Sequence, residues 1–412
     1  MDAVDRLTED YLGRLEADLK AIRSQLRRPR LSGQPTDRRA VIHCHSALSH
    51  DSRGSLDEIA DAAKLTGNEV VMITDHARSD IDVIADGFRG RRRGVLFIPG
   101  AETKHLLLFF ANGRLDYSLP QREMIAQTRS MEGMAFLSHL EEQKDWDLEG
   151  LSGTEIYNTH ASFKMQKRLS EVFRPSSSSQ LEKLLEILLI IDSHPDTGLS
   201  ALCEIPHEYL LGWDRLLSGS SATGIAANDS HANFTIHVRP KESGDLQIED
   251  FSGKVVASLP SDAAIARRLP RTGITFKPDN YEASFRHVGT HLLLDRLTEA
   301  GLIECLSNGR CYVGFDWPAA TEGFSYRWET SRNGGLMGDI VSMGEKPVLL
   351  ADLPAPADLI LKKDGEPVKD LSSDRLEYRP RSPGAYRLEA YLKLVGEDRP
   401  WIYSNPIYVA EM

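Results

Sequence analysis

One stretch near the start of the chain joins a short apolar segment to side chains that bind metals: Val41-Ile42-His43-Cys44-His45-Ser46-Ala47-Leu48-Ser49-His50-Asp51-Ser52. Successive side chains of a strand point to opposite faces, so His43 and His45 are expected on one side and Cys44 on the other. Two imidazoles on one face suit a first-row metal ion. The loop that follows carries His50 and Asp51, and either could return a ligand to the same place.

Five further apolar segments lead into a histidine or a carboxylate. They end at or just before His76, Glu102, His139, His160, and the pair Asp229 and His231. A polar residue after one buried strand has no special meaning, but six such segments in succession predict side chains that converge. In barrels of parallel strands, functional side chains lie at the carboxyl ends of the strands. The cluster exceeds what one ion needs, so it predicts two or three ions with a bridging carboxylate.

Short apolar segments alternate with helical ones between residues 40 and 300. The predicted strands cover residues 40–45, 70–74, 95–99, 106–110, 134–137, 155–158 and 224–227. This alternation predicts an α/β fold with a parallel sheet, and about seven strands would suit a (β/α) barrel. Residues 290–304 are predicted as its last helix.

The regions on either side of this segment have a different character. Residues 1–37 are predicted as an amphipathic helix and a linker, because Leu7, Leu15 and Leu19 recur at helical spacing. The helix either packs on the main domain or pairs in a dimer, and Arg, Pro and Gly residues end it between 27 and 35. The main domain is predicted to span 38–309. Residues 310–412 contain seven short strand-like segments, including 348–351 and 359–362, which predict a small all-β, sandwich-like domain.

Composition excludes several classes of protein. The 412 residues are 41% hydrophobic and 27% charged, which is typical of globular proteins. Lys and Arg number 49 against 61 Asp and Glu, and the net charge of −12 disfavours long nucleic acids but not a small anion at a metal site. No segment reaches the roughly 20 apolar residues of a membrane span, and no signal peptide is expected. A cytoplasmic location is expected, with four free thiols at Cys44, Cys203, Cys305 and Cys311.

The ordered motifs resemble those of the PHP (polymerase and histidinol phosphatase) superfamily. They are His43-Cys44-His45, Thr74-Asp75-His76, Gly100-Ala101-Glu102, Ser138-His139 and Asp229-Ser230-His231. The resemblance covers about residues 38–235 and implies a distorted seven-stranded (β/α) barrel with a metal cluster at its mouth. The C-terminal segments 309–313 and 400–406 are similar to the β-rich region of stand-alone, carbaryl-hydrolase-like members.

The resemblance also implies a set of ligands for two or three zinc, manganese or iron ions. The first ion would take His43, His45, Glu102 and Asp229; the second, bridging Glu102, His139 and His160; the third, Asp51, His76 and His231. Relatives with a Ser-x-Asp-Ser pattern favour Asp51 over His50 as the ligand.

The favoured hypothesis for function is the hydrolysis of a small phosphate ester by an activated hydroxide. Its predicted catalytic residues are Glu102, Asp229 and His231. Glu102 would position the ions, and His231 or another histidine at the mouth would protonate the leaving group. The first alternative is hydrolysis of a carbamate, ester or amide at the same site. The second is an inactive barrel that serves as a binding module.

Overall fold

The structure is a computed structural model that describes residues 1–27, 35–143, 149–195, 197–202, 204–218 and 221–411. Its α-helices are α1 (Ala3–Arg6), α2 (Glu9–Arg23), α3 (Leu56–Leu65), α4 (Gln121–Ser130), α5 (Thr159–Lys164), α6 (Lys167–Val172), α7 (Ser178–Ser193), α8 (His207–Leu217), α9 (Tyr281–His287) and α10 (Glu299–Ser307). Short 3-10 helices cover Ser200–Leu202, Ala264–Arg267 and Met343–Glu345. Among the described residues, no helix has both the length and the apolar character that crossing a membrane requires.

The strands before residue 300 are β1 (Asp37–Cys44), β2 (Val70–His76), β3 (Gly90–Arg92), β4 (Val95–Thr103), β5 (Leu106–Phe109), β6 (Met134–Leu137), β7 (Gly153–Asn158), β8 (Thr223–Ala227), β9 (Ile236–Pro240), β10 (Leu246–Asp250), β11 (Val255–Leu259), β12 (Ile274–Phe276) and β13 (Gly289–Leu293). The remaining strands are β14 (Cys311–Gly314), β15 (Ser325–Glu329), β16 (Gly334–Leu336), β17 (Ile340–Ser342), β18 (Val348–Lys363), β19 (Glu366–Tyr378), β20 (Gly384–Leu394), β21 (Glu397–Ser404) and β22 (Ile407–Ala410).

The sheet beneath the predicted site is mixed. Strands β1, β2 and β4 are parallel, as are β6, β7 and β8. Strand β5 runs antiparallel to both β4 and β6. The α/β class is confirmed, but the prediction of a purely parallel sheet is wrong. Lys104 and His105 have φ angles of 50° and 59°, and this two-residue turn sends the chain straight back as a hairpin.

The last of these strands, β8, leads back to the first. The Asp229 amide donates to the carbonyl of His43 (2.7 Å), and the His45 amide donates to the carbonyl of Ser230 (3.0 Å). Cys44 and Ser230 form an isolated parallel bridge. The carboxyl ends of β1 and β8 therefore meet, but a regular ladder does not join them. The seven-stranded barrel stays a prediction.

The helix predicted at residues 290–304 is wrong in its first part, which forms strand β13. Gly289–Leu293 forms a strand that pairs antiparallel with both β1 and β14, and α10 begins at Glu299 behind the N-cap Thr298. An apolar segment of this length fits either a helix or a buried strand, and the free edge of β1 decides between them. The hydrogen-bonded sheet thus continues from β1 to β14, across the predicted domain boundary at 309/310, which stays a prediction.

A four-stranded antiparallel sheet between residues 236 and 276 was not predicted. Its strand order is β11-β10-β9-β12. Val238 and Ile248 of this sheet are buried in one apolar cluster with Leu184 and Leu188 of α7. The insertion therefore has a small core of its own beside the main sheet.

The segment from residue 311 to residue 411 is built from strands and one 3-10 turn. Residues 348–351 and 359–362, predicted as two strands, belong to the single strand β18. It pairs with β15 in its first half, with β20 in its second, and with β19 along both. The sandwich arrangement stays a prediction.

The N-terminal region is helical, as predicted, but divided. The Thr8 side chain accepts a hydrogen bond from the Tyr11 amide (3.3 Å) and starts α2 as a separate helix. Leu15 and Leu19 are buried in a cluster that includes the C-terminal strands, and Asp18 accepts from the Val395 amide (2.7 Å). The helix therefore packs on the C-terminal region as well as on the main domain. Most of its predicted break, residues 28–34, lies outside the described residues.

Three of the cysteines are buried free thiols, and Cys203 lies outside the described residues. The three are Cys44, Cys305 and Cys311.

Candidate metal centre

The carboxyl ends of five strands bring the predicted side chains together. Strands β1, β2 and β4 contribute His43, His76 and Glu102, and His45 follows directly after β1. The segments after β6 and β8 contribute His139, Asp229 and His231. This convergence was predicted from the sequence.

His43 and His45 lie on the same side of β1, with Nε2 atoms 3.2 Å apart and both side chains fully buried. Cys44 packs on the other side, in a cluster that includes Ile59 of α3. The pairing of β1 with β2 shifts register between Ile42 and Cys44. The backbone of His43 has a φ of 66° at this bulge, which the sequence did not predict.

Glu102 contacts four imidazoles through its two oxygens. Its Oε2 lies 3.4 Å from His43 Nε2, 3.3 Å from His45 Nε2 and 3.3 Å from His76 Nδ1. Its Oε1 lies 2.8 Å from His139 Nε2. A carboxylate whose oxygens face different groups of nitrogen ligands has the placement of a bridging ligand.

Asp229 contacts three of the same imidazoles as Glu102. Its Oδ1 lies 3.2 Å from His43 Nε2 and 3.4 Å from His45 Nε2, and its Oδ2 lies 3.6 Å from His139 Nε2. The residue is buried, yet Oδ1 accepts no hydrogen bond from the described residues. A buried acceptor without a donor is costly unless something else satisfies it.

Asp51 joins two further histidines at the edge of the cluster. Its Oδ2 lies 3.1 Å from His76 Nε2 and 3.4 Å from His231 Nε2, and its buried Oδ1 has no hydrogen-bond donor among the described residues. The neighbouring His50 side chain is 77% exposed, and its Nε2 lies 4.0 Å from Asp51 Oδ2. The structure thus brings Asp51 into the cluster and leaves His50 at its rim.

The cluster contains three sets of residues, and within each set the donor atoms lie within 4.8 Å of one another. The sets are His45, Asp51, His76 and His231; His43, His45 and Glu102; and His43, His139 and Asp229. The first and second sets share His45, and the second and third share His43, so neighbouring sets are adjacent. His160 is not among them. It is exposed near the start of α5, with its ring centroid 5.6 Å from that of His231. Its role as a ligand stays a prediction.

Three of these residues have a strained backbone conformation. The φ angles of His43, His139 and Asp229 are 66°, 51° and 50°. Non-glycine residues seldom adopt this left-handed conformation, which costs of order 1–3 kcal/mol and is found mainly at functional sites. The fold therefore holds these three side chains in place at a cost to stability.

Glu155 supports two of the histidines and was missed as a functional residue. Its fully buried carboxylate accepts from His43 Nδ1 (2.5 Å), the His139 amide (3.1 Å) and Asn158 Nδ2 (3.2 Å). The bond to Nδ1 leaves the lone pair of His43 Nε2 facing the cluster. The signal in the sequence was a carboxylate inside the apolar strand Gly153–Asn158.

His45 is oriented by a different chain of hydrogen bonds. Ser49 Oγ donates to Asp75 Oδ1 (3.1 Å), so it accepts from His45 Nδ1 (3.0 Å). Asp75 also accepts from the amide and the hydroxyl of Ser46 (2.6 and 2.7 Å). Asp75 belongs to a sequence motif, but no role had been predicted for it.

His139 is held by Glu141, whose Oε1 lies 3.1 Å from its Nδ1. Tyr209 of α8 donates to the other oxygen of Glu141. No sequence motif predicts this pair, since Tyr209 is distant along the chain.

The charges of the cluster are strongly coupled. Burial would raise the pKa of Asp229, but His43 and His45 hold it well below its usual range. Burial would lower the pKa of His139, but Glu102 and Glu141 raise it to about 12. The carboxylates thus stay ionised only while positive charge lies beside them, as protons on imidazoles or as metal cations.

The donor set fits divalent transition-metal ions. Imidazole and carboxylate ligands suit zinc, manganese and iron, and two buried oxygens, on Asp229 and Asp51, have no donor among the described residues.

No family model matches the sequence, and no curated protein matches it. Among solved structures, the chain is similar to a two-domain protein from Bacteroides vulgatus that contains a predicted PHP-like metal-dependent phosphoesterase. The two are 15% identical, with 93% of this chain and 98% of the other covered, at a TM-score of 0.39. At this score the likeness carries no inference about activity.

Proposed function

We propose that this protein is a metal-dependent hydrolase of small phosphate esters, with a PHP-type site for two or three divalent ions. The observation that carries the proposal is Glu102, whose carboxylate lies within 3.4 Å of four imidazoles through two different oxygens. The acceptors on Asp51 and Asp229 that lack donors support it.

The ligands divide into overlapping sets. His43, His45, Glu102 and Asp229 would hold one ion, Glu102 and His139 a second, and Asp51, His76 and His231 a third. Divalent ions, when bound, supply Lewis acidity and lower the pKa of water into the neutral range.

The chain itself keeps the donor atoms aligned. Glu155, Ser49 and Glu141 bind the Nδ1 atoms of His43, His45 and His139, so that each Nε2 faces the cluster. Such partners fix ring orientation and raise the basicity of the ligating nitrogen.

The proton for the leaving group has two possible sources. His231 Nδ1 lies 3.0 Å from the carbonyl of Asp229, so its remaining nitrogen, Nε2, would have to serve both as ligand and as proton donor. His160 is exposed, lies near His231 and is outside the donor sets. We therefore assign the proton-donor role to His160. The donor role of His231 stays a prediction, and the activity of a His160→Gln variant distinguishes the two.

The test begins with metal content. Elemental analysis of the full chain, purified without chelators, is expected to give two to three ions per chain, and His43→Ala is expected to lower that number. His207→Ala, at an exposed histidine of α8, is the matched control and should leave it unchanged.

A substrate panel then defines the bond that is cleaved. The metal-loaded protein is expected to release phosphate from aryl phosphates faster than it cleaves matched aryl carbamates. Faster carbamate cleavage would favour the alternative hydrolase. Full metal content and full activity in His43→Ala would refute the assigned site.

A further inference from the structure

A cavity of about 400 Å³ opens beside the metal centre. Asp229 and His160 contribute to its wall, so the cavity begins where the ligand set ends. Its volume lies within the range of about 300–1,000 Å³ that is typical of small-molecule sites.

The wall away from the metal centre is largely apolar. Phe163, Leu169 and Phe173 come from the segment containing α5 and α6, and Phe234 comes from the segment that leads into β9. The rings of Phe173 and Phe234 lie 5.5 Å apart at an angle of 59°. Leu202 adds a further apolar side chain. These residues form a surface suited to a ring or a branched alkyl group.

Several polar side chains of the cavity are engaged by other parts of the protein. Lys164 pairs with Glu142 at 2.5 Å, and Ser284 lies 2.5 Å from the hydroxyl of Ser230. Burial lowers the pKa of His287 to about 3, so this imidazole is neutral. These three polar side chains are therefore less available to a ligand than the apolar residues of the wall.

We propose that the cavity binds an apolar, ring-sized alcohol portion of the substrate, so that the preferred substrates are phosphate esters of aromatic or branched aliphatic alcohols. This inference rests on the proposed function, since Asp229 connects the cavity to the reacting centre. Hydrolysis forms a bond between phosphorus and the oxygen of water and breaks the bond to the leaving oxygen. That oxygen takes up a proton, and the apolar alcohol remains in the cavity as a product.

Binding of phosphonates tests the inference without turnover, because their P–C bond is not hydrolysed. Calorimetry on the metal-loaded full chain is expected to show naphthylphosphonate binding at least about tenfold more tightly than methylphosphonate, since a single methylene group in an apolar pocket is worth about that much. Equal affinities would overturn the proposal.

Ser170→Phe fills the cavity from α6 and should bring the two affinities to within about threefold, with methylphosphonate unchanged. Ser193→Phe, on the exposed end of α7, is the matched control and should keep the preference. Should Ser170→Phe fail to fold, Phe234→Ala removes one wall and is expected to weaken the naphthyl compound alone. Variants that fold and keep the full preference would also overturn the proposal.

The two proposals fail in different ways. A naphthyl preference without any phosphate release would refute the phosphoesterase but leave the apolar site. Phosphate release without a naphthyl preference would refute the apolar site but leave the phosphoesterase.

Discussion

Two buried clusters of charge in this protein are built on opposite plans. Near the C-terminal strands, Arg387 donates to both oxygens of Asp214 (2.7 Å each) and to Glu389 (2.5 Å), and Lys362 also pairs with Glu389 (3.1 Å). Two cations face two anions. At the strand ends, the carboxylates of Glu102, Asp229, Asp51 and Glu155 face imidazoles, and two acceptor oxygens have no donor among the described residues.

The difference separates a structural cluster from a functional one. The cluster around Arg387 is neutral by itself, so it can only hold α8 against β20. The cluster around Glu102 becomes neutral by taking up protons or metal cations. Metal content, activity and unfolding of variants in each cluster test that contrast.

The largest effect is expected for Asp229→Asn, which keeps the shape of the side chain but removes its charge. Metal content should fall by at least one ion per chain. Phosphatase activity should fall more than about 100-fold, because losing even a supporting partner of a ligand costs 10- to 100-fold. Asp10→Asn, on exposed α2, should change neither value. Normal metal content in Asp229→Asn would place the site elsewhere.

Arg387→Met tests the other cluster. Removing one partner of a buried ion pair typically lowers the free energy of unfolding by about 3–5 kcal/mol. Urea unfolding would measure the loss, and metal per chain should stay constant. Arg14→Met breaks an exposed pair with Asp10 at 3.7 Å and should cost less than about 1 kcal/mol. A similar cost for both variants would contradict the structural role of Arg387.

His160→Gln separates a ligand from a proton donor. If His160 donates the proton, metal content is unchanged and kcat falls by about 100-fold or more for alkyl phosphates. Esters of nitrophenol should be affected much less, because that leaving group needs no proton. A loss of metal would instead support the ligand role that the family resemblance implies for His160.

The smallest effects are expected for Glu155→Gln and Glu141→Gln, and that of Glu155→Gln is the larger of the two. Glu155→Gln keeps the size of the side chain but weakens the bond to His43 Nδ1, so metal affinity should fall about 10- to 100-fold. Competition with a chromogenic chelator would measure it. Glu141→Gln should give a smaller change, since Glu141 orients only the partly exposed His139. Unchanged affinity in both variants would show that the ring positions are set by packing.

Sequence patterns predicted the strand ends well, because a buried strand and the polar residue after it are neighbours in the chain. They carry less information about where a side chain points once the strand has ended. Asn158 caps α5 by accepting from the Ala161 amide (2.9 Å), so the chain turns into a helix and carries His160 to the surface. The same limit applies to the cavity, whose Phe163 and Phe234 are far apart in the sequence.

Other differences come from local backbone geometry. The left-handed turn at Lys104 and His105 reverses β5, and the bulge at His43 places its ring. The spacing of apolar residues, on which the strand predictions depend, signals neither conformation. Residues Gly289–Leu293 form a strand, where a helix was predicted, because they pair with the edge of β1.

That strand, β13, also has a practical consequence for protein engineering. It is hydrogen-bonded on one side to β1, which carries His43, and on the other to β14. A chain cut at residue 310 would keep β13 but expose its unpaired edge, and such edges promote aggregation. Exchanging residues 310–412 between proteins would therefore require a replacement strand that matches β13 in register.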